Sequence, residues 1–124
     1  MQGVLILAHG SRVESTKQTI EAVAARVREN LGGVPLCVAY MEFCPENIEK
    51  GVDALAAAGV DEICAAPYFL FDGIHIRKDI PALLAAALEK HPGVRVHMAA
   101  TLGADPRLAD ILTDRIRAAQ EKAE

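Results

Sequence analysis

Two histidines in this sequence stand where chemistry could be done, and each stands close to glycine. His9 ends an apolar run and is followed by Gly10, Ser11 and Arg12, while His75 lies just beyond Gly73 and just before Arg77 and Lys78. Imidazole titrates near neutrality, so either residue could hold a metal ion or accept a proton. Other readings of His9 stay open. The Gly10 and Ser11 amides at a helix start could hold a carboxylate or phosphate, or the imidazole could simply bond a loop carbonyl. Glu42 ends a second apolar run, and a carboxylate beside two histidines suits a loosely held divalent transition metal. It also reads as a solvated acid before the helix start at Cys44-Pro45. Two widely spaced histidines are a weaker metal signature than HExxH or CxxC.

The surroundings of His75 narrow the ligand. Tyr68, Phe69 and Phe71 crowd together in a chain that is only 4% aromatic and has no Trp. An apolar, exposed-looking loop carrying a histidine and the cations Arg77 and Lys78 suits a flat, hydrophobic, anionic ligand. Arg12 could serve likewise, since guanidinium grips carboxylates bidentately. Taken singly, each cation also reads as a solvated helix-end charge, and Ser11 as a helix cap. Cys37 and Cys64 fall inside apolar runs and read as core thiols. Cys44 has no partner at close spacing, and three cysteines make no disulfide framework. His91 fits a helix C-terminal turn, where a cation is favoured. His97, near the end of a strand, is the remaining histidine that could edge a site.

The elements that must position these groups are legible from the hydrophobic pattern. Val4–Ala8, Leu36–Met41, Glu62–Ala66 and Val94–Met98 are strand-sized apolar runs. Helical stripes lie between and after them: Ile20, Val23, Ala24, Val27 and Leu31; Ile48, Val52, Leu55 and Ala56; Ile80, Leu83, Leu84, Ala87 and Leu88; and Leu108, Ile111, Leu112 and Ile116, all expected to face inward. The third helix is expected to open near Asp79-Ile80-Pro81. Strand-helix alternation with short links predicts an α/β fold, a four-stranded parallel sheet flanked by helices in the manner of a flavodoxin-like half-domain. Strand order 2-1-3-4 puts the switch point between strands 1 and 3, where α/β sheets bind ligands. His9 and the His75 segment leave the sheet at those two strand ends.

The length of 124 residues suits one domain, 1–124. A net charge of −4 argues against a nucleic-acid partner, although a local cationic pocket can still take an anionic small molecule. No apolar run approaches the roughly 20 residues of a membrane span, and the N-terminus lacks a basic leader pattern, so a cytoplasmic protein without a membrane partner is expected. No glycine-rich phosphate loop with a lysine follows the first strand, which argues against a nucleotide. A histidine phosphatase would also place His-Gly after strand 1, but with arginine immediately before the histidine, where this chain has Ala8.

Four stretches carry a family resemblance: LILAHGSR at 5–12, AYMEF at 39–43, APYFLFDGIHIRKDIP at 66–81 and LGADPRLADIL at 102–112. Together they resemble the class II tetrapyrrole chelatases, in particular the small, single-domain CbiX-type sirohydrochlorin cobaltochelatases. The resemblance implies that His9 and His75 bind the incoming metal and take part in removing protons from the macrocycle, with Glu42 as the matching acidic position. It implies sirohydrochlorin, an apolar ring edged by carboxylates, against Tyr68, Phe69 and Phe71, with Ser11, Arg12, Arg77 and Lys78 at its rim. The metal is then a substrate, Co2+ first, with Ni2+ or Fe2+ as alternatives, and no permanently bound cofactor is expected. Double-length relatives carry two such domains around one cleft, which implies a homodimer for a one-domain chain. Two departures are visible: the chain lacks the histidine-rich tract of some small members, and Thr101 stands where many relatives have proline. A non-catalytic metal or tetrapyrrole carrier on the same fold is the alternative.

Overall fold

A computed structural model describes residues 1–122, apart from the side chains of His75 and Ile76. In chain order the elements are β1 (Gln2–Ala8), α1 (Glu14–Asn30), β2 (Leu36–Tyr40), α2 (Ile48–Ala57), β3 (Glu62–Pro67), a π-turn (His75–Asp79), α3 (Ile80–Leu88), β4 (Arg95–Met98) and α4 (Pro106–Lys122). The strands form one parallel sheet in the expected order, β2-β1-β3-β4. In the register of that sheet Leu7 lies between Ala39 and Pro67, so β1, β2 and β3 end side by side at one carboxyl edge.

The unbroken apolar run of β1 follows from burial on both faces. Leu5 and Leu7 are fully buried and pack with Val52, Leu55, Ile63 and Leu84 beneath α2 and α3. Ile6 points the other way, onto Ala24 of α1. Burial of each such leucine or isoleucine is worth about 1.5–3 kcal/mol. α2 lies close on the sheet because Gly51 carries no side chain; a Cβ there would stand 2.6 Å from Leu5 Cδ1. Asn47 starts α2 by accepting a 2.9 Å hydrogen bond from the Lys50 amide. Gly33, at φ +83°, turns the chain out of α1 and donates to the Arg28 carbonyl.

Two elements depart from the sequence reading. The third helix, α3, opens at Ile80 with Asp79 as its N-cap, as expected, but helical backbone already begins at Ile74 and passes through the π-turn directly into it. Pro81 therefore sits inside a continuing helix. Its nitrogen cannot donate and its ring crowds the carbonyl four residues back, and a wider turn immediately upstream accommodates it. The second departure is α4. Leu108 is half-buried, and Ile111, Leu112 and Ile116, expected inward, are 49%, 62% and 49% exposed; α4 buries none of its residues. Apolar periodicity identifies the face a helix will bury, not the surface that buries it.

Candidate functional site

His9 leaves β1 at the carboxyl edge on a strap that is pinned from behind. Its carbonyl accepts from the Glu42 amide at 2.9 Å, one residue beyond the bond from the Met41 amide to the Ala8 carbonyl. Gly10, at φ +94°, lies flat against this neighbour, so that a Cβ would run into the Glu42 carbonyl and stand 3.3 Å from Tyr40 Cβ. Only glycine combines that φ with so close a backbone approach. On the other side, the Tyr68 amide donates to the Leu7 carbonyl at 2.8 Å, which continues the β1–β3 pairing and delivers Phe69 to the same edge. The His9 ring meets Phe69 edge to face, 4.3 Å between centroids at 75°. That contact orients an imidazole which is otherwise exposed.

An open cavity of about 990 Å³ occupies this edge. Its walls are mostly apolar, from Met41, Tyr68, Phe69, Leu70, Phe71, Ile80 and Leu83, with His9, Glu42 and Asp79 as its ionisable groups. Phe71 is 80% exposed, whereas Phe69 is 9% exposed and packs in the core. Of the aromatics expected to be open, then, Phe69 is a buried support for His9 and Tyr68 is half-buried. His75 opens the π-turn that closes at the cavity-lining Asp79, so its backbone belongs to this edge; its side chain lies outside the described residues. Among the described residues no three His, Cys, Asp or Glu side chains gather closely enough to hold a metal ion. Asp79 is the site residue the sequence reading passed over, though its place in Gly-x-His-x-x-x-Asp-Ile-Pro was the available signal.

The family model for CbiX matches residues 3–119. The chain belongs to the CbiX family. It is 33% identical to the sirohydrochlorin cobaltochelatase of Methanopyrus kandleri, over 96% of this chain and 97% of that protein. It is 34% identical to the sirohydrochlorin ferrochelatase of Priestia megaterium, over 94% of this chain but 44% of that longer protein. Among solved structures, the CbiX protein of Marinobacter aquaeolei VT8 superposes with a TM-score of 0.80 at 30% identity, covering 98% of this chain and 99% of that one. The sirohydrochlorin chelatase SirB of Bacillus subtilis subspecies spizizenii, solved in complex with cobalt, gives a TM-score of 0.88 at 25% identity, covering 94% of this chain and 50% of that one.

The remaining candidates sit outside the CbiX-type cavity wall. Arg12 stacks its guanidinium 4.5 Å over the Phe43 ring. Phe43 itself holds the uncommon φ of +63°. Ser11 Oγ accepts from the Val13 amide at 3.0 Å and shapes the strap. It does not cap α1, which starts later, at Glu14 after Val13. The Gly10 and Ser11 amides thus lie ahead of the helix N-terminus, not on it. Arg77 Nε donates to Asp72 Oδ2 at 3.1 Å, both side chains exposed. With Gly73, Ile74 and Lys78 they border a second, smaller recess. His97 is exposed on β4 and does not line the cavity. His91 Nε2 lies 2.7 Å from Asp53 Oδ1, tying the end of α3 to α2. Cys44 Sγ stands 3.8 Å from the Ser11 carbonyl, and Cys37 and Cys64 are half-buried free thiols. Burial pushes the Cys37 thiol up.

Proposed function

We propose that this protein is a sirohydrochlorin chelatase, inserting a divalent metal, cobalt first, into a carboxylate-edged tetrapyrrole without ATP. The observation that carries the reading is the placement of His9 on the wall of a large, mostly apolar cavity at the switch point of a CbiX-family sheet. An apolar floor suits the macrocycle face. Phe71, Tyr68 and Leu70 offer that floor, with Arg77, Lys78 and Arg12 as the cations for the carboxylates, and Ser11 holding the strap. Nickel or ferrous insertion into the same substrate is the nearest variant of the reaction.

Insertion of a divalent ion displaces two pyrrole protons, so the site must hand over a metal and take up protons. His9 and His75 as neutral imidazoles hold the ion, and as it passes to the ring each is freed to accept a proton. Glu42, on the same wall as His9, acts as a third ligand or as the base that passes a proton to solvent. No resident cofactor is called for, because the metal is a substrate and no bond requires redox chemistry. Residues 1–124 act as one chelatase unit, working in the cytoplasm as a homodimer whose clefts face each other around residues 42–48 and 68–78. The large exposed surface of Phe71 supports that closure.

A spectrophotometric assay tests the reading. Sirohydrochlorin and Co(II) are mixed with and without protein. Turnover beyond one equivalent of protein is expected. A spectral shift that stops at one equivalent would make the protein a carrier, and no shift would remove the tetrapyrrole from the proposal.

A further inference from the structure

Arg12 and Phe43 stand on neighbouring straps at the carboxyl edge, Arg12 three residues past His9 and Phe43 directly after Glu42. His9 and Glu42 both line the cavity. Neither backbone nor burial accounts for a phenylalanine at position 43. Its φ of +63° is the only positive value among the described non-glycine residues, and that region favours glycine over a bulky side chain. The ring is 55% exposed and belongs to no part of the core. The surrounding bonds impose the conformation. The Glu42 amide donates to the His9 carbonyl, and the Tyr40 amide closes the turn by donating to the Glu46 carbonyl at 2.8 Å. Lys17 Nζ in turn fixes Glu46 to α1 at 2.7 Å. What the ring itself supplies is a face for the Arg12 guanidinium, 4.5 Å from its centroid.

That partner sets Arg12 apart. Arg77, Arg95 and Arg107 each spend guanidinium donors on a carboxylate of their own chain: Asp72, Glu62 and Asp105. Among the described residues no carboxylate or carbonyl is hydrogen-bonded to the exposed Arg12 guanidinium. An aromatic face attracts a guanidinium through its quadrupole and leaves the N–H donors for other partners. Phe43 therefore holds Arg12 without using it up. We infer that Phe43 is a positioning residue, which pre-orients Arg12 as a two-pronged clamp for one ligand carboxylate on the His9 side of the cavity. The carboxylate is one of those at the edge of the tetrapyrrole, so this role rests on the function proposed above. Planar guanidinium suits such a grip, whereas ammonium offers only a point charge. Arg77 differs, because it must release Asp72 before it can take a carboxylate through the same nitrogen. A fork that is already ordered loses less freedom on binding. Arg12 is thus the first anchor of the rim.

Binding of uroporphyrin I, an octacarboxylate macrocycle, to the full chain tests the clamp by fluorescence quenching, with folding followed by circular dichroism. Arg12→Ala and Phe43→Gly are each expected to raise Kd about tenfold, the scale of a charge-assisted pair. The double variant should bind no more weakly than either single one, because Phe43 acts through Arg12. Phe43→Tyr, which keeps a ring under the cation, should recover most of the loss. Arg12→Lys should bind as weakly as Arg12→Ala. An unchanged Kd for Phe43→Gly, or losses that multiply in the double variant, overturns the positioning role. Should Phe43→Gly fail to fold, Phe43→Leu takes its place in the same cycle, and an Arg12→Lys variant that binds like the wild type overturns the clamp. Wild-type protein that binds the porphyrin but inserts no metal into sirohydrochlorin removes the chelatase reading and leaves the clamp to the same cycle. Wild-type protein that does not bind it removes the tetrapyrrole and the clamp together.

Discussion

The two walls of the cavity are built to opposite specifications. The His9 wall is backbone laid on backbone: the strap is hydrogen-bonded to the end of β2, and Gly10 is pressed against the Glu42 carbonyl. The facing wall, from Leu70 to Gly73 with Asp79 beyond it, is a turn leading into a π-turn, with Phe71 80% exposed and the neighbouring Ile74 63% exposed. Its described side-chain tether is the exposed Arg77–Asp72 pair, a type worth about 0–1 kcal/mol. One wall is joined backbone to backbone to the next strand, while the other carries, among the described residues, an exposed ion pair and the Leu102 and Gly103 amides on the Phe69 and Leu70 carbonyls. The first makes its residues sensitive to small backbone changes, and the second, with Phe71 in water, makes its residues sensitive to loss of contact with ligand.

The sharpest way to break that contrast is to remove the imidazoles. His9→Ala and His75→Ala are each expected to lower metal-insertion turnover about 10²–10⁴-fold, the range for a positioned base, while circular dichroism stays native. Normal turnover by either variant would take that wall out of the chemistry. Gly10→Ala should come next. The added methyl must displace the Glu42 carbonyl at a φ that disfavours alanine, so activity should fall about a hundredfold, with a loss of about 1–3 kcal/mol in stability. An unaffected Gly10→Ala would mean that the strap is not rigid.

The aromatic pair gives a finer test. Phe69→Ala removes a core side chain that also orients His9; a cost of about 3–5 kcal/mol in denaturant unfolding is expected. Phe71→Ala should change stability by less than about 0.5 kcal/mol and raise KM several-fold. Equal effects on stability would erase the distinction between the walls. Arg77→Ala with Lys78→Ala should also raise KM several-fold with kcat little changed, the pattern of uniform binding contacts. A pure kcat loss would reassign these cations to the reaction.

The smallest effect lies in pH. Burial pushes the Tyr40 hydroxyl, beneath the His9 strap, up to about 12. A folded-state value above the unfolded one, about 10, means that the proton stabilises the fold. That contribution is fully present below about pH 10 and disappears as pH rises through about 12. Phenolate absorbance together with denaturation midpoints across this window should show Tyr40 ionising late and stability falling with it. Ionisation of Tyr40 near pH 10 with no change in midpoint would count against a tightly packed rear wall.

Much of this protein was legible before any coordinates. Alternating apolar runs and helical stripes specify a parallel α/β sheet because burial on both faces leaves a continuous hydrophobic strand, and short links leave few ways to connect such strands. The order β2-β1-β3-β4 then brings the end of β1, with His9, beside the end of β3, and Gly-x-His-x-x-x-Asp-Ile-Pro marks the segment that follows. Side-chain partners were not legible. Phe69 and Phe71 are the same residue two positions apart, yet one packs in the core against His9 and the other stands in water. Arg77 meets Asp72 through a helical turn that begins earlier than Pro81 suggests. α4 carries as regular an apolar stripe as a core helix but buries none of it, because periodicity reports only the rotation of one helix about its own axis. What that stripe meets depends on where other elements end in space, and only the tertiary structure decides that.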